Sequence, residues 1–125
     1  MKLRAAAVVL AVLLPGAVAQ APAGPAADLK LMPSYGGALL VGRISAPRAD
    51  ELMGVWSSLG RARLLKCAPR CEVVKFVPVT GNLILSGSSG YRVVLGGKFK
   101  PGQKVSLVLR FRQGAVLNTA AIMGR

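Results

Sequence analysis

The C-terminal two thirds of the chain alternates between short apolar segments and polar, glycine-rich separators. In the segment KVSLVLRFR the apolar side chains occupy every second position; they are Val105, Leu107, Leu109 and Phe111. Successive side chains of a β-strand point to opposite faces, so this spacing predicts a strand with one buried face. No stretch keeps a helical period over the length that a helix requires. The pattern therefore predicts an all-β protein.

The separators TG, GSSG, GGKFKPGQ and QG are rich in residues that favour turns. They divide the chain into seven or eight short strands joined by hairpins. We therefore predict an antiparallel β-sandwich of seven or eight strands, cupredoxin-like or immunoglobulin-like, over residues 37–122. The core is expected to include Leu107, Leu109, Phe111 and one of Val93 and Val94.

The first 19 residues have the features of a secretory signal peptide. Basic Lys2 and Arg4 precede an apolar run over residues 5–14, which is too short to cross a bilayer, and AVA follows as a cleavage site. Residues 20–36 begin with an Ala-, Pro- and Gly-rich stretch, and a flexible lead-in is expected there. We therefore predict a periplasmic or secreted protein with no transmembrane segment in its mature chain.

The chain is strongly basic, with 17 Lys and Arg against 4 Asp and Glu, and every acidic residue lies at or before Glu72. The C-terminal part of the chain, after Glu72, carries only positive charges. Such a charge distribution favours binding to an anionic partner or surface, or it contributes only to solubility. Lys104, Arg110 and Arg112 share the polar face of the strand described above, and they are the candidates for an anionic-surface contact. Nucleic acid is not expected as the partner of an exported protein.

The residues for enzymatic chemistry are scarce. The chain has no His to act as a general base, and its 4 acidic residues are too scattered to form a catalytic carboxylate pair. Ser and Lys residues are present, but no motif links them. We predict that the protein is not an enzyme.

Cys67 and Cys71 are the only cysteines, and the short segment APR separates them. Three interpretations remain open at this point. The exported context favours a disulfide that closes a hairpin, two thiolates could hold Cu(I), and two unreactive cysteines are the third alternative. The first two can also be one cycle, reduced to bind metal and oxidised when empty.

Four segments resemble the periplasmic copper chaperone family PCu(A)C: DELMGVWSSLGRARLL, VVKFVPVTG, SGYRVVLGG and FKPGQKVSLVLRF. The resemblance spans roughly residues 37–120. It implies a cupredoxin-like fold that carries Cu(I) toward the Cu(A) centre of cytochrome oxidase. A copper-receiving respiratory or membrane protein is the partner that it implies.

The copper ligands of that family are a His and a Met, followed further along the chain by a His-x-Met pair. On this sequence they fall on Leu65, Phe76, Arg92 and Val94, none of which binds copper. A guanidinium is always charged, so an Arg at such a position disfavours a cation. The usual site of the family is therefore absent.

Cys67 follows Leu65 by two residues, so the two side chains share one face of a predicted strand. The resemblance thus implies a divergent site in which Cu(I), if bound at all, is held by Cys67 and Cys71. The alternative is a copper-free adaptor that keeps the fold and binds an anionic partner or surface through its basic face.

Overall fold

The computed structural model describes residues 24–124, which form eleven β-strands and no helix. The strands are β1 (Ala26–Ser34), β2 (Gly37–Ser45), β3 (Asp50–Ser57), β4 (Gly60–Arg61), β5 (Arg63–Cys67), β6 (Cys71–Val73), β7 (Val77–Val79), β8 (Asn82–Leu85), β9 (Tyr91–Gly96), β10 (Lys104–Phe111) and β11 (Val116–Met123). The all-β prediction is confirmed. Within the described residues, no helix could span a membrane. The signal peptide predicted over residues 1–19 lies outside them.

One curled, mixed sheet contains the strands in the order β4-β3-β10-β11-β1-β2-β9-β5-β6, with β7 on β3 and β8 on β2. Every pair is antiparallel except β1 with β11, which is parallel. The predicted antiparallel sandwich of seven or eight strands is therefore confirmed only as an all-β, mainly antiparallel fold, and its strand number and its purely antiparallel pairing are wrong. Strand β1 forms hydrogen bonds along both of its edges and supplies the parallel pair, β4 is a short additional strand, and the segment predicted as one strand over residues 71–79 is divided into β6 and β7.

Strand β1 corrects the expectation of a flexible segment over residues 20–36. Ala26–Ser34 pair with β2 along their whole length, and Leu29 and Leu31 point into the core. Gly42 of β2 permits this close pairing, because its φ is 140° and a Cβ there would collide with the backbone carbonyl of Asp28. Residues 20–23 lie outside the described part of the chain.

A single apolar core fills the concave side of the sheet, and the described residues include no buried polar or charged side chain. Leu107, Leu109, Phe111 and Val93 are buried in it, as predicted. Val94 is half-buried and belongs to the opposite face of β9. Val94 therefore lies on the outer face of the sheet, which is the face directed away from the core.

Candidate functional site: the outer face of β5, β6 and β9

Cys67 and Cys71 face each other across a tight hairpin. Cys67 ends β5, Cys71 begins β6, and the two residues are directly paired in the antiparallel ladder. Their Sγ atoms are joined as a disulfide, and their Cα atoms lie 3.8 Å apart. The Cys67 backbone N–H donates to the carbonyl oxygen of Gly90 at 2.7 Å, which ties the hairpin to the loop before β9. The expected juxtaposition of the two cysteines is confirmed.

Three of the four positions that the sequence resemblance aligns with copper ligands come together on the same outer face. Leu65 of β5 is paired with Arg92 of β9 on one side and with Val73 of β6 on the other. Val94 is paired with Arg63, two residues before Leu65. Since directly paired residues of an antiparallel sheet point to one face, Leu65, Arg92 and Val94 lie next to one another.

Phe76 is the fourth of these positions and lies apart from the ladder. It falls in the segment between β6 and β7, and its side chain is 38% exposed. No strand pairing fixes its distance from the other three positions. The structure thus assembles the β5–β9 part of the expected site without showing that Phe76 completes it.

Arg92 is anchored to the loop that precedes its own strand. Its Nε–H donates to the carbonyl oxygen of Ser89 at 3.1 Å. Ser89 is itself held in the loop, since its hydroxyl lies 2.6 Å from the Tyr91 carbonyl oxygen. Within residues 24–124, Arg92 forms no ion pair. Its positive charge therefore remains uncompensated beside Leu65, where a bound cation would be repelled.

Soft metal donors near this face are few. In the described part of the chain, no cluster of three or more His, Cys, Asp or Glu side chains could hold a metal ion. Met123 is buried in the core, Met32 is 49% exposed on the distant strand β1, and Met53 lines a cleft with Arg63 and Val73. Cys67 and Cys71 are consequently the thiol donors that this face offers to a soft metal ion, and the Met53 thioether is a neighbouring soft donor.

The fold has a counterpart among solved structures. The solution structure of CuI-DR1885 from Deinococcus radiodurans superimposes with a TM-score of 0.59 at 23% sequence identity, covering 86% of this chain and 83% of that chain. The two proteins share a fold. No protein-family model matches the chain, and no curated protein matches it significantly.

One of the three basic residues predicted on the polar face of β10 is ion-paired. Lys104, Arg110 and Arg112 are all exposed, as predicted. Arg112, however, lies just after β10 and forms an ion pair with Glu51, its Nη1 being 2.8 Å from Oε1. The charge of Arg112 is therefore balanced by Glu51 of β3, whereas Lys104 and Arg110 form no ion pair within residues 24–124.

A cluster around Trp56 was not foreseen from the sequence. The guanidinium carbon of Arg61 lies 5.2 Å from the centroid of the indole, and that of Arg110 lies 5.9 Å from it. Both distances are within the range of cation–π attraction. Arg61 is paired with Trp56 across the β3–β4 hairpin, which the short separator SSLG could have indicated. Arg110 comes from a distant part of the chain, and no local signal links it to Trp56.

Proposed function

We propose that this is an exported, copper chaperone-like protein that handles Cu(I) through Cys67 and Cys71. The observation that carries the proposal is the position of this pair. It lies on the outer face that also holds Leu65, Arg92 and Val94, where the resembling PCu(A)C family would place ligands. The shared fold with CuI-DR1885 supports a copper-handling role of this kind.

The chemistry requires that the disulfide first be reduced. A dithiol reductant would supply two electrons and two protons, converting the disulfide to two thiols while becoming oxidised itself. The thiols lose their protons when they bind Cu(I), for which soft thiolate sulfur is a suitable donor. Cys71 is exposed and accessible to such a reductant. The disulfide would then be the resting, metal-free form.

The partner that fits this role is a copper-receiving respiratory or membrane protein in the same compartment. A binding role, rather than catalysis, agrees with the absence of His from the sequence and with its few acidic residues. Export follows from the signal peptide predicted over residues 1–19.

Removal of both thiols is expected to abolish copper binding. The reduced protein should bind about one Cu(I) per chain in competition with a colorimetric Cu(I) chelator, because two thiolates suffice for this ion. Cys67→Ser with Cys71→Ser should bind none. Met32→Ala, which removes an exposed sulfur on β1, is the matched control and should bind as the wild type does.

Two results would contradict the copper role. Undiminished Cu(I) binding by the double Ser variant would show that the cysteines do not form the site. Absence of Cu(I) binding by the reduced wild-type protein would favour a copper-free function. Alkylation of the protein during isolation, followed by mass spectrometry, gives the proportion of the reduced form in the cell. Two labelled cysteines with no bound metal would contradict the disulfide as the resting form.

A second candidate function is a copper-free adaptor that binds an anionic surface. The observation that favours it is the pair Lys104 and Arg110 on the outer face of β10, both exposed and, within residues 24–124, without a carboxylate partner. The replacement of all four family ligand positions agrees with it. In this candidate the fold is retained as a scaffold and the basic face makes the contact.

Binding to anionic vesicles is expected to decrease steeply as salt increases from about 0.05 to 0.5 M, because exposed charges are screened over about 10 Å at 0.1 M and over less at higher salt. Lys104→Gln with Arg110→Gln should weaken retention on vesicles at low salt. Arg112→Gln removes a charge that Glu51 already balances, so its effect should be smaller. Salt-insensitive retention, or none, would exclude this candidate.

A further inference from the structure

A cleft whose charged residues are all positive lies beside β5. It has a volume of about 620 Å³, which is within the usual range for small-molecule sites. Its accessible apolar wall is formed by Met53, Val73 and Val74, its lining also includes the buried core residues Ala62 and Leu64, and its charged residues are Arg61, Arg63 and Lys75. Among the described residues, no Asp or Glu lines it. We call it the cationic cleft.

The walls of the cationic cleft follow from the strand pairing. The Val74 N–H donates to the Leu64 carbonyl oxygen at 2.9 Å, so the chain after β6 stays beside β5 and forms one wall. Opposite it, the register of β3 against β10 shifts, and Met53 is the extra residue of a β-bulge. Bulges commonly redirect side chains near binding sites. Here the bulge places Met53 in the cleft.

Arg61 is held in position before any ligand arrives. Its Nη2 donates to the carbonyl oxygen of Met53 at 3.1 Å, and its guanidinium lies 5.2 Å from the Trp56 ring centroid. The indole lies across Gly54, where a Cβ would collide with the ring. Because both contacts are present in the free protein, little side-chain freedom remains to be lost when Arg61 meets an anion.

The three cations of the cleft have no counter-charge from the protein. Within residues 24–124 the only ion pair joins Arg112 to Glu51. Glu72 is near the cleft in sequence, but it is paired with Lys66 in the ladder and belongs to the opposite face of β6 from Val73. In the apolar wall Val73 is 70% exposed and supplies accessible apolar surface, whereas Leu64 beneath the cleft is only 3% exposed.

We propose that the cationic cleft binds an amphipathic organic anion. Its carboxylate, sulfate or phosphate head would contact Arg61, Arg63 and Lys75, and its apolar body would cover the wall formed by Met53, Val73 and Val74. The three uncompensated cations favour a ligand with a negatively charged head group. The exposed apolar wall favours a ligand that also has an apolar portion, which an inorganic ion lacks. This site uses neither the cysteines nor copper, so it goes beyond the function proposed above.

Trp56 is the only Trp in the chain, and its contact with Arg61 makes it a reporter of the cleft. Titration of the oxidised protein with monomeric octyl sulfate is expected to give a saturable change in Trp56 fluorescence. Octyl glucoside and octyltrimethylammonium have the same chain with a neutral or cationic head, and inorganic sulfate has the head alone. Each should bind at least about tenfold more weakly, because each lacks one of the two contacts.

Variants that remove single positive charges test whether octyl sulfate binds in the cationic cleft. Arg63→Gln and Lys75→Gln should each weaken octyl sulfate binding by about tenfold, as loss of a charge-assisted contact does. Both side chains are exposed, so the fold should tolerate the change. Lys100→Gln removes the same charge from an exposed position in the loop before β10, outside the cleft, and should leave the affinity unchanged. The double Ser variant of the cysteines should also bind normally, which separates this site from the copper proposal.

Other outcomes would overturn the proposal. Equal affinity for octyl sulfate and octyl glucoside, or unchanged affinity in both the Arg63 and Lys75 variants, would remove the anion site. Equal affinity for inorganic sulfate and octyl sulfate would show that the apolar chain does not contribute to binding, which would contradict the proposed amphipathic ligand. Phosphatidylglycerol vesicles test the source of the anion: a response to vesicles with none to monomeric octyl sulfate would exclude a small-molecule cleft and indicate a membrane surface instead.

Discussion

Replacement of Gly42 by Ala is expected to destabilise the protein by about 3 kcal/mol, since a strained backbone and an overpacked contact each cost roughly 1–3 kcal/mol. Gly42 has a φ of 140°, which an L-residue rarely adopts, and a Cβ there would collide with the Asp28 carbonyl group and approach the Leu29 Cα. These atoms belong to the backbone of β1, so they cannot move aside as a flexible side chain would. Urea unfolding followed by circular dichroism measures the loss.

A second glycine separates the two causes of this loss. Gly102 also has a positive φ, 81°, but nothing lies within 4 Å of a Cβ placed there. Gly102→Ala should therefore lower the free energy of unfolding by only about 1–2 kcal/mol, the cost of placing a residue with a Cβ in a left-handed backbone conformation. Equal losses for the two variants would mean that the close approach of β1 to β2 is unimportant.

Truncation of Leu31 to Ala should cost about 2–5 kcal/mol, as is usual for a fully buried Leu. Leu31 has no exposed surface, and the neighbouring side chain of Met32 is 49% exposed on the opposite face. Met32→Ala is thus a control on the same strand, with an expected loss within about 0.5–1 kcal/mol. If the Leu31 variant unfolds at the wild-type urea concentration, β1 does not belong to the cooperative core.

The contrast between β10 and β1 shows which parts of this fold a sequence can predict. Strand β10 was predicted because its alternation extends over eight residues, Lys104–Phe111. In β1 the core face consists of Leu29 and Leu31, which are buried, and the small side chain of Ala27, which packs against the core. The Ala-, Pro- and Gly-rich stretch before the leucines suggests a flexible chain, and two leucines give too short a period to outweigh that composition.

The same distinction between local and distant contacts applies to the site. The juxtaposition of Cys67 and Cys71 was predictable, because three intervening residues require a tight reversal. The ion pair of Arg112 with Glu51 and the contact of Arg110 with Trp56 depend on the pairing of β10 with β3, which are distant in sequence. The positions of charged residues in the sequence therefore did not show that Arg112 is ion-paired, and they did not reveal the cationic cleft.

The parallel pairing of β1 with β11 has a consequence for the order in which this chain is made. Synthesis proceeds from the N-terminus, so β1 and β2 leave the ribosome early and can pair as a hairpin. The second edge of β1 receives its partner only when Ile122 and Met123 have been added, since these residues pair with Lys30 and Leu31. Until then that edge presents unpaired backbone groups, which are the groups through which strands of separate chains associate. Every nascent chain that has not reached β11 carries this open edge.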